Sequence, residues 1–570
     1  MNNKQVSDLL YTIADLLDIQ DENFFKTRAY RMAAQTIAEL DEDIETVVKE
    51  DRLHDLPHVG DAIAKKIHEY VTKGKLSYFE KLKEKTPIQL LDLLTLSGLG
   101  PKKIASLYHH LDITTIEELR EACNQGKLRS LDGFGETTEK NILRAISLKE
   151  KTMGRSLLHH AYQQGKNYVI YLEKNPLVSQ VSIAGSLRRM KETIGDIDIL
   201  VSSDHPEEVM QTFIEYPQVK QILLQGKTKT SVLLQDNIQV DLRVVEQKSF
   251  GSALQYFTGS KEHNVALRGI AIKNGFKLNE YGLFDKKTNT FITGENEKAI
   301  YQKLQLSFIP AELRENRGEI EAGLQHRLPE LITNEDIKGD LHIHSTYSDG
   351  AQDIASIAAA AEKQGYQYIG ITDHSQTLHV AHGLTIERIQ EKIKEIKKIN
   401  QVSPVHIFCG TECDILADGS LDYDDDTLAL FDYVGIGIHR TFNMSKKQAT
   451  ERIIQGMKHP SATFLTHPTC RIIGQRRAIE LDIEHIFETA LETNTSLEIN
   501  SFPDRLDLPD NLVKRGKEMG VSFIIGSDAH TIDHLQFLPY GVAVARRGWL
   551  EKKDCLNTKT TDEIKTIFIT

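Results

Sequence analysis

VSIAGSLRRMKETIGDIDILVS, residues 181–202, is the stretch on which the reading of the fold turns. It opens on a short alternating apolar run, breaks at Gly185-Ser186, and closes on a second apolar run beginning Asp196-Ile197-Asp198. Alternation with a period of two predicts strands, and strand residues two apart share a face, so Asp196 and Asp198 point the same way. Gly185-Ser186 stands where a helix would begin. The unpaired N–H groups of a helix start suit nucleotide phosphates, and Arg188 and Arg189 follow closely. A further alternating run, Ile238 to Val244, carries Asp241. Carboxylates on neighbouring strands can bridge two divalent cations, which phosphoryl transfer needs to activate a hydroxyl and neutralise the leaving group. An Asp-x-Asp pair alone is common on protein surfaces. Gly-Ser, nine residues, Asp-x-Asp and a later strand aspartate together form a much more specific pattern.

Downstream the pattern changes. From Asp340 onward, apolar strand-like runs end in His, Asp or Glu: DLHIHS, YIGITDH, HIFCGTE, YVGIGIH, TFLTHP, SLEINS and VSFIIGSDAH, with helical stretches such as IASIAAAAEKQG between them. Alternating β and α elements predict a parallel α/β architecture, and in barrels of that class active sites lie at the C-terminal ends of the strands. The metal-capable residues at those ends are His342, His344, Asp349, His374, Glu412, His439, His467, Asp528 and His530. A lone histidine is usually structural; nine such residues at successive strand ends predict a cluster of cations that activates water and clamps a phosphate ester. Mixed imidazole and carboxylate donors suit manganese, zinc or iron, and the lack of cysteine ligands argues against a structural zinc site. His379, His382 and His459 lack this context.

Upstream, residues 1–150 read as helix. Three turns recur there: Leu56-Pro-His-Val-Gly60, Leu96-Ser-Gly98-Leu-Gly100 and Leu131-Asp-Gly133-Phe-Gly135, each before a helix. Such a turn aims backbone N–H groups outward and suits a phosphate oxygen, a contact that positions nucleic acid without reading its sequence. Lys65–Lys66 and Lys102–Lys103 follow the first two turns and strengthen that reading. The net charge of -13 argues weakly against a nucleic-acid partner, but residues 1–150 carry 21 Lys and Arg against 26 Asp and Glu, so local patches outweigh the sum.

The 570 residues suggest three to five domains at ~100–200 residues each. No apolar run reaches the ~18 residues of a membrane span, and the start shows no signal-peptide pattern. Five scattered cysteines fit reduced thiols, so a cytoplasmic location is expected.

Residues 1 to about 320 resemble the family X DNA polymerases. The resemblance rests on the Gly-Ser and aspartate motif, on the hairpins, and on Tyr256-Phe257-Thr258-Gly259-Ser260 followed by Asn264 and Arg268. It implies Asp196, Asp198 and Asp241 as ligands of Mg2+ or Mn2+. Gly185, Ser186 and Arg189 would meet the triphosphate, with Gly195 beside the metals. Tyr256, Phe257, Gly259 and Asn264 would surround sugar and base, and Arg268 would face the template. It further implies gapped or nicked double-stranded DNA and dNTPs as substrates. Two positions depart from the family's beta-type member: Gln239 stands for an arginine, and Ile194 for a small polar residue. The same resemblance puts Lys66, with Lys26 and Tyr30, where that member has a Schiff-base lysine. Lys66 thus reads either as a phosphate contact or as an abasic-site lyase nucleophile. Residues 338–570 resemble the PHP (polymerase and histidinol phosphatase) family. That pattern implies His342, His344, Glu412 and Asp528 around one metal, Glu412 bridging to a second held by His439 and His467, and Asp349, His374 and His530 around a third.

The expectation is therefore a multidomain α+β and α/β chain. A helical lyase-like DNA-binding domain covers 1–90 and a helix-hairpin-helix, fingers-like domain 91–150. A nucleotidyltransferase palm follows at 151–260, a thumb at 261–320, a linker at 321–337 and a distorted α/β PHP barrel at 338–570. The hairpins would place Gly60, Lys65, Gly98, Gly100, Lys102, Gly133 and Gly135 on DNA. The function expected is short-gap filling in base-excision-type repair with 3′→5′ exonuclease trimming, by a monomer. A nucleotidyltransferase acting on RNA or small molecules, and a DNA-binding scaffold with an inactive PHP module, are the competing readings.

Overall fold

In the computed structural model, residues 3–568 are described apart from 21, 39, 41, 95–98, 132, 137, 141, 144–145, 147–154, 443, 474–475 and 477. The chain divides into two compact units, Met1–Gly154 and Arg155–Thr570. No helix among the described residues is long and apolar enough to cross a membrane.

All the regular secondary structure among the described residues of the first unit is helical. Its helices bury apolar stripes in two clusters. One gathers Leu10, Ile13, Leu17, Ile37, Val47, Ile63, Ile67 and Leu82; the other gathers Leu90, Leu93, Ile104, Leu107, Leu119, Leu128 and Ile142. Helix Ile116–Asn124 begins with a reciprocal cap between Thr115 and Glu118, which satisfies two otherwise orphaned N–H groups.

The second unit starts with a two-stranded ribbon, β1 (Ser156–Leu157) and β3 (Thr193–Ile194), beside a five-stranded sheet. That sheet takes β2 (Gln180–Ile183), β4 (Asp196–Ser202), β5 (Val219–Gln225), β6 (Lys229–Leu234) and β7 (Gln239–Val245) in the order β2-β4-β7-β6-β5. Strands β4 and β7 are parallel, which sets Asp198 directly opposite Asp241. The three antiparallel strands β8 (Phe276–Asn279), β9 (Gly282–Asp285) and β10 (Phe291–Thr293) follow. Next to them lies a separate apolar cluster of Leu267, Leu283, Tyr301, Leu313 and Leu331. Residues 321–337, expected as a linker, are packed: the helix Glu319–Leu324 buries Ile320 and Gly323, and Leu331 bridges to Glu551.

Seven parallel strands complete the chain: β11 (Gly339–Ile343), β12 (Tyr368–Ile371), β13 (His406–Asp414), β14 (Tyr433–Gly437), β15 (Ala462–Leu465), β16 (Ser496–Asn500) and β17 (Phe523–Gly526). They pair in sequence order. A parallel bridge from Ile343 to Ala529 ties the first strand to the segment after the last, so the sheet is a nearly closed barrel. Strands flanked by helices bury both faces, and accordingly every residue of β11, β12, β14, β16 and β17 is buried. Six of the strands each contribute one residue to a plug of Leu341, Tyr368, Phe408, Tyr433, Phe464 and Ile524, which Ile564 also joins. A single apolar cluster runs from Leu158 and Phe213 in the palm to Val542 and Leu550 in the barrel.

Candidate metal centres and nucleic-acid contacts

In the palm, β4 and β7 bring one carboxylate oxygen each from Asp196, Asp198 and Asp241 within 4.8 Å of one another. Burial, reinforced by Asp196 and Asp241, pushes the Asp198 carboxyl up to about 7. Burial and Asp241 raise Asp196 as well. Burial would also raise Asp241, but Lys229 at 2.6 Å and the Gln239 amide, which donates at 2.8 Å, hold it below the ordinary value. Three crowded carboxylates, two of them raised by burial and then by mutual repulsion, make a donor set that fits divalent cations. Gly185 has φ +61°, and a Cβ there would run into the Asp198 carboxylate. Glycine is what lets the helix Gly185–Arg188 begin against β4.

A cleft of about 550 Å³ opens beside these groups, lined by Gly185, Ser186, Arg189, Asp196, Asp198, Tyr256, Phe257, Gly259, Asn264 and Arg268. Arg155, Lys191 and Lys261 also line it, three cations that the sequence reading had not singled out. Two expected nucleotide contacts are tied down. Arg189 donates through Nε to Glu315 at 3.0 Å and through Nη1 to the Thr258 carbonyl. Asn264 donates to the Tyr256 carbonyl at 2.7 Å and accepts from Gln255, bracing the helix Phe250–Thr258, which carries the Tyr-Phe motif, against the helix Lys261–Lys273. Gly195 lies outside the cleft lining, beside Arg155. Of the two departures noted above, Gln239 bonds Asp241, whereas Ile194 is buried in the palm core.

In the barrel, Glu412 of β13 is the hub. Its Oε1 lies 3.0 Å from His439 Nε2 and 2.8 Å from His467 Nε2. Its Oε2 lies 3.4 Å from His342, 3.5 Å from His344 and 3.2 Å from His374. Asp528 Oδ1 faces His344 at 3.3 Å and His342 at 3.6 Å. Asp349 Oδ2 faces His374 at 3.6 Å and His530 at 3.5 Å. All nine expected ligands converge, and each stands in β11 or β13 or in the segment just beyond a strand end. The sets interleave, because His344 also reaches Asp349 at 3.7 Å. Buried imidazole nitrogens of His342, His344, His374 and His467 have no hydrogen-bond partner among the described residues. Orphaned buried nitrogens around a shared carboxylate fit metal ions.

The supporting partners were not foreseen. Glu498 of β16 accepts from His342 Nδ1 at 2.6 Å and, through its other oxygen, from the His467 backbone N–H at 2.6 Å. Asp414 pairs with His439 Nδ1 at 2.5 Å. Burial alone would lower the His439 ring, but Glu412 and Asp414 push it up to about 10. Arg505 lies 3.3 Å from Asp528. SLEINS was already the one barrel run without an assigned ligand, and that gap was the available signal for Glu498. His459 pairs instead with Asp425 at 3.1 Å; His379 and His382 are exposed.

In the helical unit, Gly60 and Gly100 are N-caps of the helices Asp61–Lys73 and Pro101–Leu111, neither with a side-chain cap. A Cβ at Gly60, Gly100, Gly133 or Gly135 would meet nothing within 4 Å, so packing inside the chain does not demand glycine there. His58 takes the left-handed φ of +64° in the first turn, as Gly133 does at +76° in the third. Gly98 lies outside the described residues. Lys65 and Lys102 are accessible to solvent. Lys66 lies over the rings of Tyr78, at 4.7 Å, and Tyr30, at 5.9 Å. Burial and then Lys26 hold its ammonium below the ordinary value.

Comparison with known proteins identifies parts of the chain. Residues 1–76 match a helix-hairpin-helix domain, 90–147 a SAM-like helix-hairpin-helix tandem, 253–315 the DNA polymerase beta thumb and 340–502 the PHP domain. Over 568 residues, 99% of each chain, the sequence is 40% identical to the DNA polymerase/3'-5' exonuclease PolX of Bacillus subtilis. A probable phosphatase of Syntrophotalea carbinolica is 29% identical over 205 residues, 34% of this chain and 79% of its own. A probable phosphatase of a Thermoanaerobacter species is 28% identical over 234 residues, 38% of this chain and 89% of its own.

Proposed function

The chain belongs to the family X DNA polymerases that carry a C-terminal PHP domain, and from that premise we propose how its parts divide the work. It is a DNA polymerase with 3′→5′ exonuclease activity, and divalent metals serve both reactions. In this reading Asp196, Asp198 and Asp241 hold Mg2+ or Mn2+, which supply the charge that activates the primer hydroxyl and offsets the departing pyrophosphate. Gly185 and Ser186 present helix-start N–H groups to the triphosphate, Arg189 adds positive charge beside them, and Tyr256, Phe257 and Gly259 shape the sugar pocket. Arg268 faces the template. The hairpin glycines with Lys65 and Lys102 hold the phosphates of gapped or nicked duplex.

The barrel then removes nucleotides from a 3′ end. His342, His344, Glu412 and Asp528 would hold one cation, His439 and His467 a second shared through Glu412, and Asp349, His374 and His530 a third. Mn2+ or Zn2+ suits these donors. Glu498 and Asp414 orient the rings they bond. Lys66, whose ammonium lies over the rings of Tyr78 and Tyr30 and has its pKa lowered by burial, is the candidate nucleophile for abasic-site cleavage. The remaining terms of the proposal are a monomer, a cytoplasmic location and short-gap repair.

The observation that carries this reading is the presence, in one compact unit, of two separate carboxylate-centred clusters: an aspartate trio beside a nucleotide-sized cleft, and a glutamate whose two oxygens face different imidazoles. The test is a labelled one-nucleotide-gap duplex with Mn2+, with and without dNTPs. Asp198→Ala is expected to abolish extension and spare 3′ trimming, and His344→Ala to do the reverse. Extension by Asp198→Ala would overturn the assignment of the polymerase site.

A further inference from the structure

Arg547 closes the last long helix of the barrel, Leu538–Arg547, yet its guanidinium serves the polymerase half of the chain. It is 3% exposed. Nη1 donates to the backbone carbonyl of Arg189 at 2.6 Å and lies 3.1 Å from Glu315 Oε1, while Nη2 pairs with Asp510 at 2.6 Å. That same Glu315 oxygen accepts from Arg189 Nε at 3.0 Å and lies 3.9 Å from Lys191. Arg189 and Lys191 both line the nucleotide cleft, and Arg189 reaches across it to the Thr258 carbonyl. A second barrel arginine grips the other end of the same palm segment: Arg471 pairs with Glu192 at 2.6 Å and donates to the carbonyls of Arg505 and Leu506.

The palm segment Arg189–Glu192 joins the helix that starts at Gly185-Ser186 to β3 and the metal-ligand strand β4. It is therefore held at both ends by the barrel. The electrostatics point the same way as the geometry. Glu315 faces three cations, and burial, which would raise its carboxyl, is outweighed first by Arg547 and then by Arg189. With Arg547 in place, the negative charge of Glu315 is shared, and Arg189 and Lys191 keep positive potential toward the cleft. Without it, that charge falls on the two cleft cations alone. A coupled buried network of this kind transmits a change at one member to its neighbours.

We infer that Arg547 is a positioning residue for the polymerase site: through Glu315 and the Arg189 carbonyl, the PHP barrel sets the affinity of the palm for incoming nucleotide. The inference rests on the reading of the cleft as the nucleotide site. It adds that the barrel, besides its own hydrolysis, is a structural part of the synthetic site.

The experiment uses the full chain loaded with Mn2+ and compares the parent, Arg547→Gln, and the double variant Arg547→Gln with Glu315→Gln. The first readout is equilibrium binding of one dNTP to the enzyme on gapped duplex with a dideoxy-terminated primer, which needs no turnover. Arg547→Gln is expected to raise the dNTP Kd about tenfold, and the double variant, which removes the charge that had fallen on the two cleft cations, to bring it back to within about threefold of the parent. In steady-state gap filling the loss is expected in KM, with kcat and 3′ trimming within about twofold. Retained trimming separates positioning from general damage to the fold. Should Arg547→Gln fail to fold, Arg547→Lys, which keeps the charge and loses the fork, is expected to raise Kd about threefold. A Kd within twofold of the parent in the folded single variant overturns the inference, and so does a double variant no better than the single. If dNTP binding shifts as stated but the parent extends no primer, the coupling stands and the polymerase reading fails.

Discussion

A single methyl group separates glycine from alanine, and at position 185 the Asp198 carboxylate occupies the space that methyl would need. Gly185→Ala would also force a side chain into a backbone with φ +61°. Displacing a proposed metal ligand by a fraction of an ångström is expected to lower primer extension by about 100-fold or more, with 3′ trimming by the same preparation unchanged. Time courses of both reactions on one gapped duplex check this. Gly185, Asp196 and Asp198 were all legible, because fourteen consecutive positions carry the motif and strand alternation says where the carboxylates point. Glu498 was not legible as the partner of His342, 156 positions away. Its role exists only once β16 lies inside the closed barrel, and no local pattern marks that contact. Arg189 shows a different limit. Its place by the cleft was readable, but its engagement by Glu315 depends on how the thumb packs.

At the scale of elements, the short helix Glu297–Lys303 opens with a carboxylate that locks two others in place. Glu297 accepts from both terminal guanidinium nitrogens of Arg188, at 2.9 and 2.6 Å, and from Nη1 of Arg314 at 2.6 Å. Burial would raise its carboxyl, but Arg314 and Arg188 outweigh it and bring it down to about 2. A group whose folded value is depressed lends stability that is complete above its unfolded value, here the ordinary 4.5, and is lost as pH falls toward about 2. Glu297→Gln is therefore expected to cost about 3 kcal/mol at neutral pH. Its deficit in urea midpoint should shrink steadily between about pH 5 and pH 3. A deficit independent of pH would contradict this. The hairpins give a second test at the same scale. Lys102 follows a helix start with no side-chain cap, so Lys102→Ala should weaken binding to gapped duplexes of different sequence equally and reduce the salt dependence by about one counterion. Anisotropy titrations over a salt series measure it. Helices, strand ends and hairpin turns were readable from periodicity and glycine placement. The packing of residues 321–337 onto thumb and barrel was not, because it depends on surfaces brought together from distant parts of the chain.

For the molecule as a whole, the proposed barrel ligands come from positions 342 to 530 and meet only when β11 to β17 have closed. Buried imidazole nitrogens without partners are a cost that a bound cation removes. Mn2+ at 1,000 times its Kd is expected to add about 4 kcal/mol to the stability of the second unit. The denaturation midpoint should rise with added Mn2+ and fall with chelator, and His344→Ala should blunt both shifts; a calorimetric scan with and without metal decides. The grip of Arg471 and Arg547 on the palm also bears on how the protein is made. Chains leave the ribosome from the N-terminus, and domains generally fold as units in that order. The palm and its aspartates emerge well before Arg547, which lies 358 positions after Arg189. A chain interrupted before that point lacks the contacts that steady Arg189, and one interrupted before Asp528 also lacks a barrel ligand. Premature termination therefore does not release an unimpaired writing head freed from its eraser: the same missing tail that takes away correction also loosens the grip on the letters to be written.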